Sequence, residues 1–256
     1  MISLRPSFSR IQAYISPFPK HMPVFSFILL LCFVLCAGCT DEPTVLRDQW
    51  NEKGNSLADQ GRYEEALDAF NTALTYDPGD ALTYTYRGTV LQNLNRVDDA
   101  MRDFDHALAL NPSEGRAWIG RASIYIDAED YPRAEQAATR VIETTNQNSD
   151  KVIVDAYLIR GFARNRLQQY ESALRDFDLA ITLDSERKDL WEHKAYSLVS
   201  MGRLTEALQC YDYLTQLYPD DPQIWNTKGS VYMALGQTTE ANRAYATAKS
   251  IMLNSR

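Results

Sequence analysis

Few residues in this chain are of types, and at spacings, that do covalent chemistry. The four cysteines divide into Cys32, Cys36 and Cys39, crowded in one apolar segment, and a solitary Cys210. Disulfide frameworks and zinc sites need paired spacings that this arrangement lacks. Beyond residue 39 the histidines are His106 and His193, and neither falls into a Cys/His or Ser/His/Asp arrangement. The acid pairs Asp98-Asp99 and Glu129-Asp130 sit at turns ahead of helical stretches, where negative charge complements a helix N-terminus. No glycine-rich phosphate loop occurs, and Cys210 reads as a buried structural thiol. The expectation is a protein that is not an enzyme and has no catalytic residue, no metal and no cofactor.

One cysteine does carry a chemical signal. From Val24 to Gly38 run fifteen uncharged residues, preceded by a basic stretch with Arg5, Arg10 and Lys20. A membrane-crossing helix needs roughly twenty, so the run reads as the apolar region of a secretory signal over residues 1–39. It closes on Leu35-Cys36-Ala37-Gly38-Cys39, which resembles the lipobox of prokaryotic lipoproteins. The resemblance implies cleavage before Cys39, lipidation there with diacyl and palmitate-type chains, and a membrane partner held only through that anchor. Cys36 departs from the commonest leucine, with Leu35 one position upstream. An uncleaved signal anchor, a buried N-terminal helix and a start at Met22 are the competing readings. Residues 40–46 form a short tether of about 25 Å at full stretch. The implied location is the extracytoplasmic face of the cell membrane, or the outer membrane if the source is a diderm bacterium, since Thr40 rather than aspartate comes after the cysteine.

Charge excludes other partners. Net charge is −8, and all 34 acids lie beyond residue 39 with all but three of the 26 Lys and Arg. Nucleic-acid binding is driven by counterion release and needs clustered cations, so no nucleic acid is expected. Anionic lipid surfaces repel such a body as well.

The elements that position everything else repeat. Trp50, Tyr84, Trp118, Tyr157, Trp191 and Trp225 are spaced by 34 residues, with five extra before Tyr157. Sixteen residues after each aromatic stands an alanine: Ala66, Ala100, Ala134, Ala173, Ala207 and Ala241. Four after it come the small residues Gly54, Gly88, Ala122, Gly161, Ala195 and Gly229, and twenty after it Phe70, Phe104, Ala138, Phe177, Tyr211 and Tyr245. Small residues let two helix backbones approach, and large rings fill the space beside that contact. Ala66, Phe70, Ala73 and Leu74 share one face of an amphipathic helix. Asp77-Pro78 and Asn111-Pro112 stop one helix before the next, because proline cannot continue a helix interior.

This pattern resembles the tetratricopeptide repeat (TPR), a 34-residue helix–turn–helix unit. The match runs over 47–80, 81–114, 115–148, 154–187, 188–221 and 222–255, with 149–153 as an insertion. It implies an all-α fold, a right-handed α-solenoid of six repeats stacked on their neighbours. The third copy has Ala138 for the aromatic and Asn146 for the proline, so a looser or bent junction is expected there. Ser149 or Asp150 is placed to cap a helix lengthened by about a turn. Only residues 251–256 come after the last helix, so Ala244, Ala248, Ile251 and Met252 are expected to stay exposed, or to be covered in a homodimer.

Family geometry puts the first helix of each repeat on a concave groove. The groove positions it implies are Asn51, Asn55, Tyr86, Thr89, Arg116, Phe162, His193, Tyr196 and Asn226, with Asn93 and Arg166 further along the same helices. Aromatic and neutral polar side chains with few cations suit an extended or helical peptide. Asn51 and Gly120 stand where a chaperone-type carboxylate clamp has lysine and arginine, so that clamp is not expected. The implied role is a membrane-anchored scaffold or adaptor for a peptide or protein partner. The alternative is a structural subunit or an assembly factor similar to pilotin lipoproteins.

Overall fold

The structure, a computed structural model, describes residues 42–144 and 148–254. The signal segment, Cys39 and Asn146 lie outside the described residues. The chain divides into two compact units, 1–46 and 47–256. Of the first, only residues 42–46 are described, and they open the first helix. The second carries the repeats.

Among the described residues there are twelve α-helices and no strand. They are α1 (Pro43–Asp59), α2 (Tyr63–Tyr76), α3 (Ala81–Asn93), α4 (Val97–Leu110), α5 (Gly115–Asp127), α6 (Tyr131–Glu143), α7 (Asp150–Arg166), α8 (Tyr170–Leu183), α9 (Lys188–Ser200), α10 (Leu204–Leu217), α11 (Pro222–Ala234) and α12 (Thr238–Asn254). Odd-numbered helices are the first of each repeat and even-numbered ones the second. The architecture is the right-handed solenoid of six helix–turn–helix repeats.

The turn inside every repeat is built the same way. A residue with positive φ ends the first helix at Gly61, Asn95, Glu129, Gln168, Gly202 and Gly236. The next backbone N–H then reaches back to the fifth carbonyl before it, as Arg62 N to Leu57 O and Gln169 N to Arg164 O do, at 2.9 and 2.8 Å. This left-handed cap satisfies carbonyls that the helix end leaves open. Aspartate caps the other end in places: the Asp80, Asp130 and Asp221 carboxylates accept from the N–H of Thr83, Arg133 and Gln223.

Within each repeat the two helices meet at the small residues. A Cβ placed on Gly54, Gly88, Gly161 or Gly229 would lie 2.6–2.7 Å from the ring of Phe70, Phe104, Phe177 or Tyr245. Phe70, Phe104 and Phe177 are wholly buried, and each contributes about 1.5–3 kcal/mol of burial. Gly120 closes on Phe104 from the following repeat.

Six cations reinforce this layer. Lys53, Arg87, Arg121, Arg160, Lys194 and Lys228 each lie three residues after the repeat's aromatic and stand 4.3–5.5 Å from its ring centroid. Five of them also pair with an acid on a second helix: Arg87 with Asp103 and Arg160 with Asp176 at 2.7 Å, Arg121 with Asp105 at 3.2 Å, Lys194 with Asp178 at 2.7 Å and Lys228 with Asp212 at 2.8 Å.

Two expectations need correction. The junction between the third and fourth repeats is not loose: Val141, Val152 and Ala156 form a buried cluster across it, backed by Trp118, Ile119 and Ile142. Arg164 bridges it to Glu135 at 2.8 Å. The extra residues lengthen α7 to 17 residues, and its added first turn supplies Val152 to that cluster. Ser149 occupies the capping position without a side-chain capping hydrogen bond. At the far end, Ala244 and Ala248 are buried rather than exposed, because Ala241, Ala244 and Ala248 share the face that α12 lays on α11. Met252 and Leu253 are exposed, at 44% and 60%, and Ile251 is half-buried.

Candidate peptide-binding groove

Helix-to-helix contacts identify the inner face. α3 packs on α5, α5 on α7 and α7 on α9, whereas no two successive second helices pack to a comparable extent. An array whose first helices touch one another while its second helices splay apart curves with the first helices inside. Side chains on the free face of α3, α5, α7 and α9 therefore line the inner side.

The expected groove residues fall into several environments. Asn51 is a correction: it is 7% exposed and ties two repeats together. Thr83 donates its hydroxyl to Asn51 Oδ1 at 2.9 Å, and Asn51 Nδ2 donates to Asp80 at 3.4 Å. Asp80 at the end of its own repeat and Thr83 of the next take it out of any ligand's reach. Asn55 and Asn226 are half-buried. Thr89 and Asn93 are exposed, and their side chains bond their own helix, Thr89 to the Thr85 carbonyl and Asn93 to the Thr89 carbonyl.

The remaining six gather in two clusters. In one, Arg116 donates to the Tyr86 hydroxyl at 3.1 Å, with its guanidinium 5.9 Å from the ring; Tyr86 rests on Phe70 at 5.8 Å. In the other, Phe162 makes edge contacts with Tyr131 at 6.5 Å and with His193 at 5.3 Å. His193 stacks on buried Phe177 at 5.8 Å. Arg166 donates to the Tyr131 hydroxyl at 3.0 Å and lies 5.3 Å from that ring. Tyr196 is 49% exposed beside them, one helical turn beyond His193. Beneath, Ser197 donates to Asn165 Oδ1 at 2.8 Å in a buried rung between α7 and α9.

Electrostatics follow from these contacts. The Tyr131 hydrogen bond, and then its charge interaction, raise the Arg166 pKa above its ordinary value. Burial pushes His193 below the usual imidazole value, against the opposing pull of Asp189 and Glu192. A neutral imidazole between two phenyl rings behaves as a third flat ring. Burial also pushes the Cys210 thiol up to about 11, so it stays protonated and inert.

Tyr131 carries no groove signal in the sequence because it opens α6, a second helix, and reaches the groove from the turn. The cations three residues after each aromatic do carry a periodic signal, since all six stand at a single fixed offset. They belong to the frame and not to the groove.

Models of the tetratricopeptide repeat match residues 48–80 and residues 86–150 and 193–250, together more than half of the chain. The chain belongs to the tetratricopeptide repeat family, whose members are generally non-catalytic scaffolds for protein–protein interaction. Human DnaJ homolog subfamily C member 7 is 28% identical over 165 residues, which are 63% of this chain and 31% of that protein. The chain thus spans about a third of that relative's length. YrrB, described as a TPR protein with an unusual peptide-binding site, superposes with a TM-score of 0.61 at 23% identity, over 72% of this chain and 93% of YrrB. PilW, described as a widely conserved type IV pilus biogenesis factor, superposes with a TM-score of 0.72 at 14% identity, over 80% and 92%. At those identities the likeness to both structures is one of fold.

Proposed function

We propose that this protein is a membrane-anchored scaffold that binds a peptide or protein segment in its concave groove. The observation that carries the reading is the ring cluster of Tyr131, Phe162, His193 and Tyr196 on the inner face, with Tyr196 half open to solvent. Flat rings that brace one another, with His193 backed by Phe177, lose little freedom when a partner covers them, which favours binding. The anchor rests on residues 24–39: an apolar run of signal length that ends on Cys39. Lipid at Cys39 would keep the groove close to the extracytoplasmic face of the membrane, where two acyl chains suffice for stable attachment.

The test uses the full chain in cells. A photo-crosslinking residue in place of Tyr196 should trap one dominant partner segment, while the same probe on the outer face, at Arg175, should not. Equal trapping at both positions would mean that the groove is not the binding face. For the anchor, Cys39→Ala should lower the mass by the lipid and release the chain from membranes; unchanged mass and retention would refute lipidation.

A second reading, an assembly factor or subunit of an envelope complex, is favoured by the fold shared with PilW over 80% of the chain. It predicts a stable complex that survives purification and buries the outer face, so the Arg175 probe would then crosslink as well.

A further inference from the structure

The groove arginines stand apart from the other arginines of the solenoid. Nearly all of the latter hold a carboxylate: Arg47, Arg87, Arg121, Arg160, Arg164 and Arg187 all do so, and each is at least partly buried. Arg116 and Arg166 make no ion pair among the described residues. Each instead donates to a tyrosine hydroxyl, Tyr86 or Tyr131, and lies against its ring. Glu114 and Glu129 act on them through space but do not come within bonding distance of either guanidinium. Both guanidinium groups are exposed, and both keep most of their N–H donors unused, since a phenol oxygen takes only one. A chain that carries an excess of acids has left two arginines on its inner face without one.

Their placement says how many carboxylates the occupant brings. Arg116 stands two residues before its repeat's aromatic mark and Arg166 nine after the mark of the next repeat. Eleven residues of helix rise cover about 16 Å, and neighbouring helices add a lateral step of about 9 Å. The two posts are therefore on the order of 20 Å apart, which an extended peptide covers in about six residues. A single C-terminal carboxylate cannot serve both. Phe162 and Tyr196, beside Arg166, offer ring faces to an apolar side chain.

Resting on the peptide-groove reading, we infer that the ligand is an internal acidic segment: two Asp or Glu side chains about six residues apart, one on Arg116 and one on Arg166, with an aromatic residue seated on Phe162 and Tyr196. Charge-assisted hydrogen bonds to a fork of donors are stronger than neutral ones, and the rings supply apolar area. Specificity arises because a neutral or basic segment would leave both guanidinium groups covered and unpaired.

The test measures binding to the purified full chain in detergent by titration calorimetry. Seven-residue peptides capped at both ends are compared, one with Glu at each end and Phe within, the other with Gln for both Glu. The Glu peptide should bind at least about tenfold more tightly, and Arg116→Ala and Arg166→Ala should each cost about tenfold, with melting temperatures unchanged. Arg166→Lys should recover part of the loss. Equal affinity for the two peptides, or no effect of either arginine variant, would overturn the inference. If both peptides bind equally and Tyr196→Ala abolishes binding, the groove reading survives while the acidic ligand falls. If neither peptide binds and the Tyr196 probe traps nothing in cells, both fall together.

Discussion

Arg160 and Arg166 lie on the same helix, six residues apart, and do opposite things. Arg160 turns to the second helix of its own repeat, where Asp176, its side chain 2% exposed, accepts two hydrogen bonds at 3.0 and 2.7 Å. Arg164 joins it on the same carboxylate at 2.9 Å and ties Glu135 of the preceding repeat. Arg166 turns the other way, to the exposed hydroxyl side of Tyr131. A guanidinium whose acid is supplied by the chain is part of the frame; one that the chain leaves with a phenol is available to another molecule. The distinction is one of partners and not of residue type, so composition alone does not reveal it.

The sharpest way to break the comparison is to remove the internal acid. Asp176→Ala leaves Arg160, which is only 13% exposed, without its carboxylate, while Arg164 keeps Glu135. Breaking a buried pair by deleting one partner costs about 3–5 kcal/mol. Urea unfolding of the full chain should show a loss of that order; a loss below about 1 kcal/mol would place Asp176 with ordinary surface acids. The turn beside the groove gives a smaller effect of opposite sign. Gln168 holds φ of +62° where three sister turns have glycine. Gln168→Gly relieves a left-handed strain of about 1 kcal/mol and should raise the melting temperature while leaving groove binding unchanged.

Much of the frame was legible in residue spacing. Aromatic, small residue, alanine and aromatic recur at constant offsets, and the helix pairs follow because Gly161 and Phe177, or Gly54 and Phe70, are the two halves of one contact. What escaped depended on a neighbour that a single repeat does not contain. Asn51 reads as a groove residue until Thr83 of the next repeat and Asp80 at the repeat boundary close over it. The junction reads as loose because Ala138 and the insertion break the pattern, yet Val152 on the added turn of α7 packs with Val141 and Ala156 across it. Of the candidate groove, Phe162, Arg166, His193 and Tyr196 were put on one face by the geometry that the repeat resemblance implies. Tyr131, which holds Arg166, came from a different helix and carried no periodic signal.

His193 tests whether groove and frame are as separate as the arginines suggest, since it faces Phe162 on one side and buried Phe177 on the other. Its burial lowers the native pKa below 6.5. As pH falls through about 6.5 the unfolded chain takes up this proton before the native one does. Stability due to this group is therefore complete above that pH and declines as acid is added, until the lower native value is passed. His193→Gln should flatten that part of the pH–stability curve relative to the parent. An unchanged slope would mean that the imidazole titrates freely and that the ring stack is open to water.

The smallest stability effect should come from a residue whose loss weakens binding about tenfold. Arg166 is exposed and bonded to a single phenol oxygen, so Arg166→Ala should change unfolding free energy by no more than about 0.5 kcal/mol, as surface substitutions do. Asp176→Ala on the same repeat provides the contrast. If Arg166→Ala instead destabilised the chain by several times that amount, its tyrosine would be a structural partner equivalent to Asp176, and the guanidinium would be spent inside the fold rather than offered to a ligand. Measuring both variants under one denaturant series decides this, because the two arginine environments share a helix and differ in burial and in what the chain has placed opposite them.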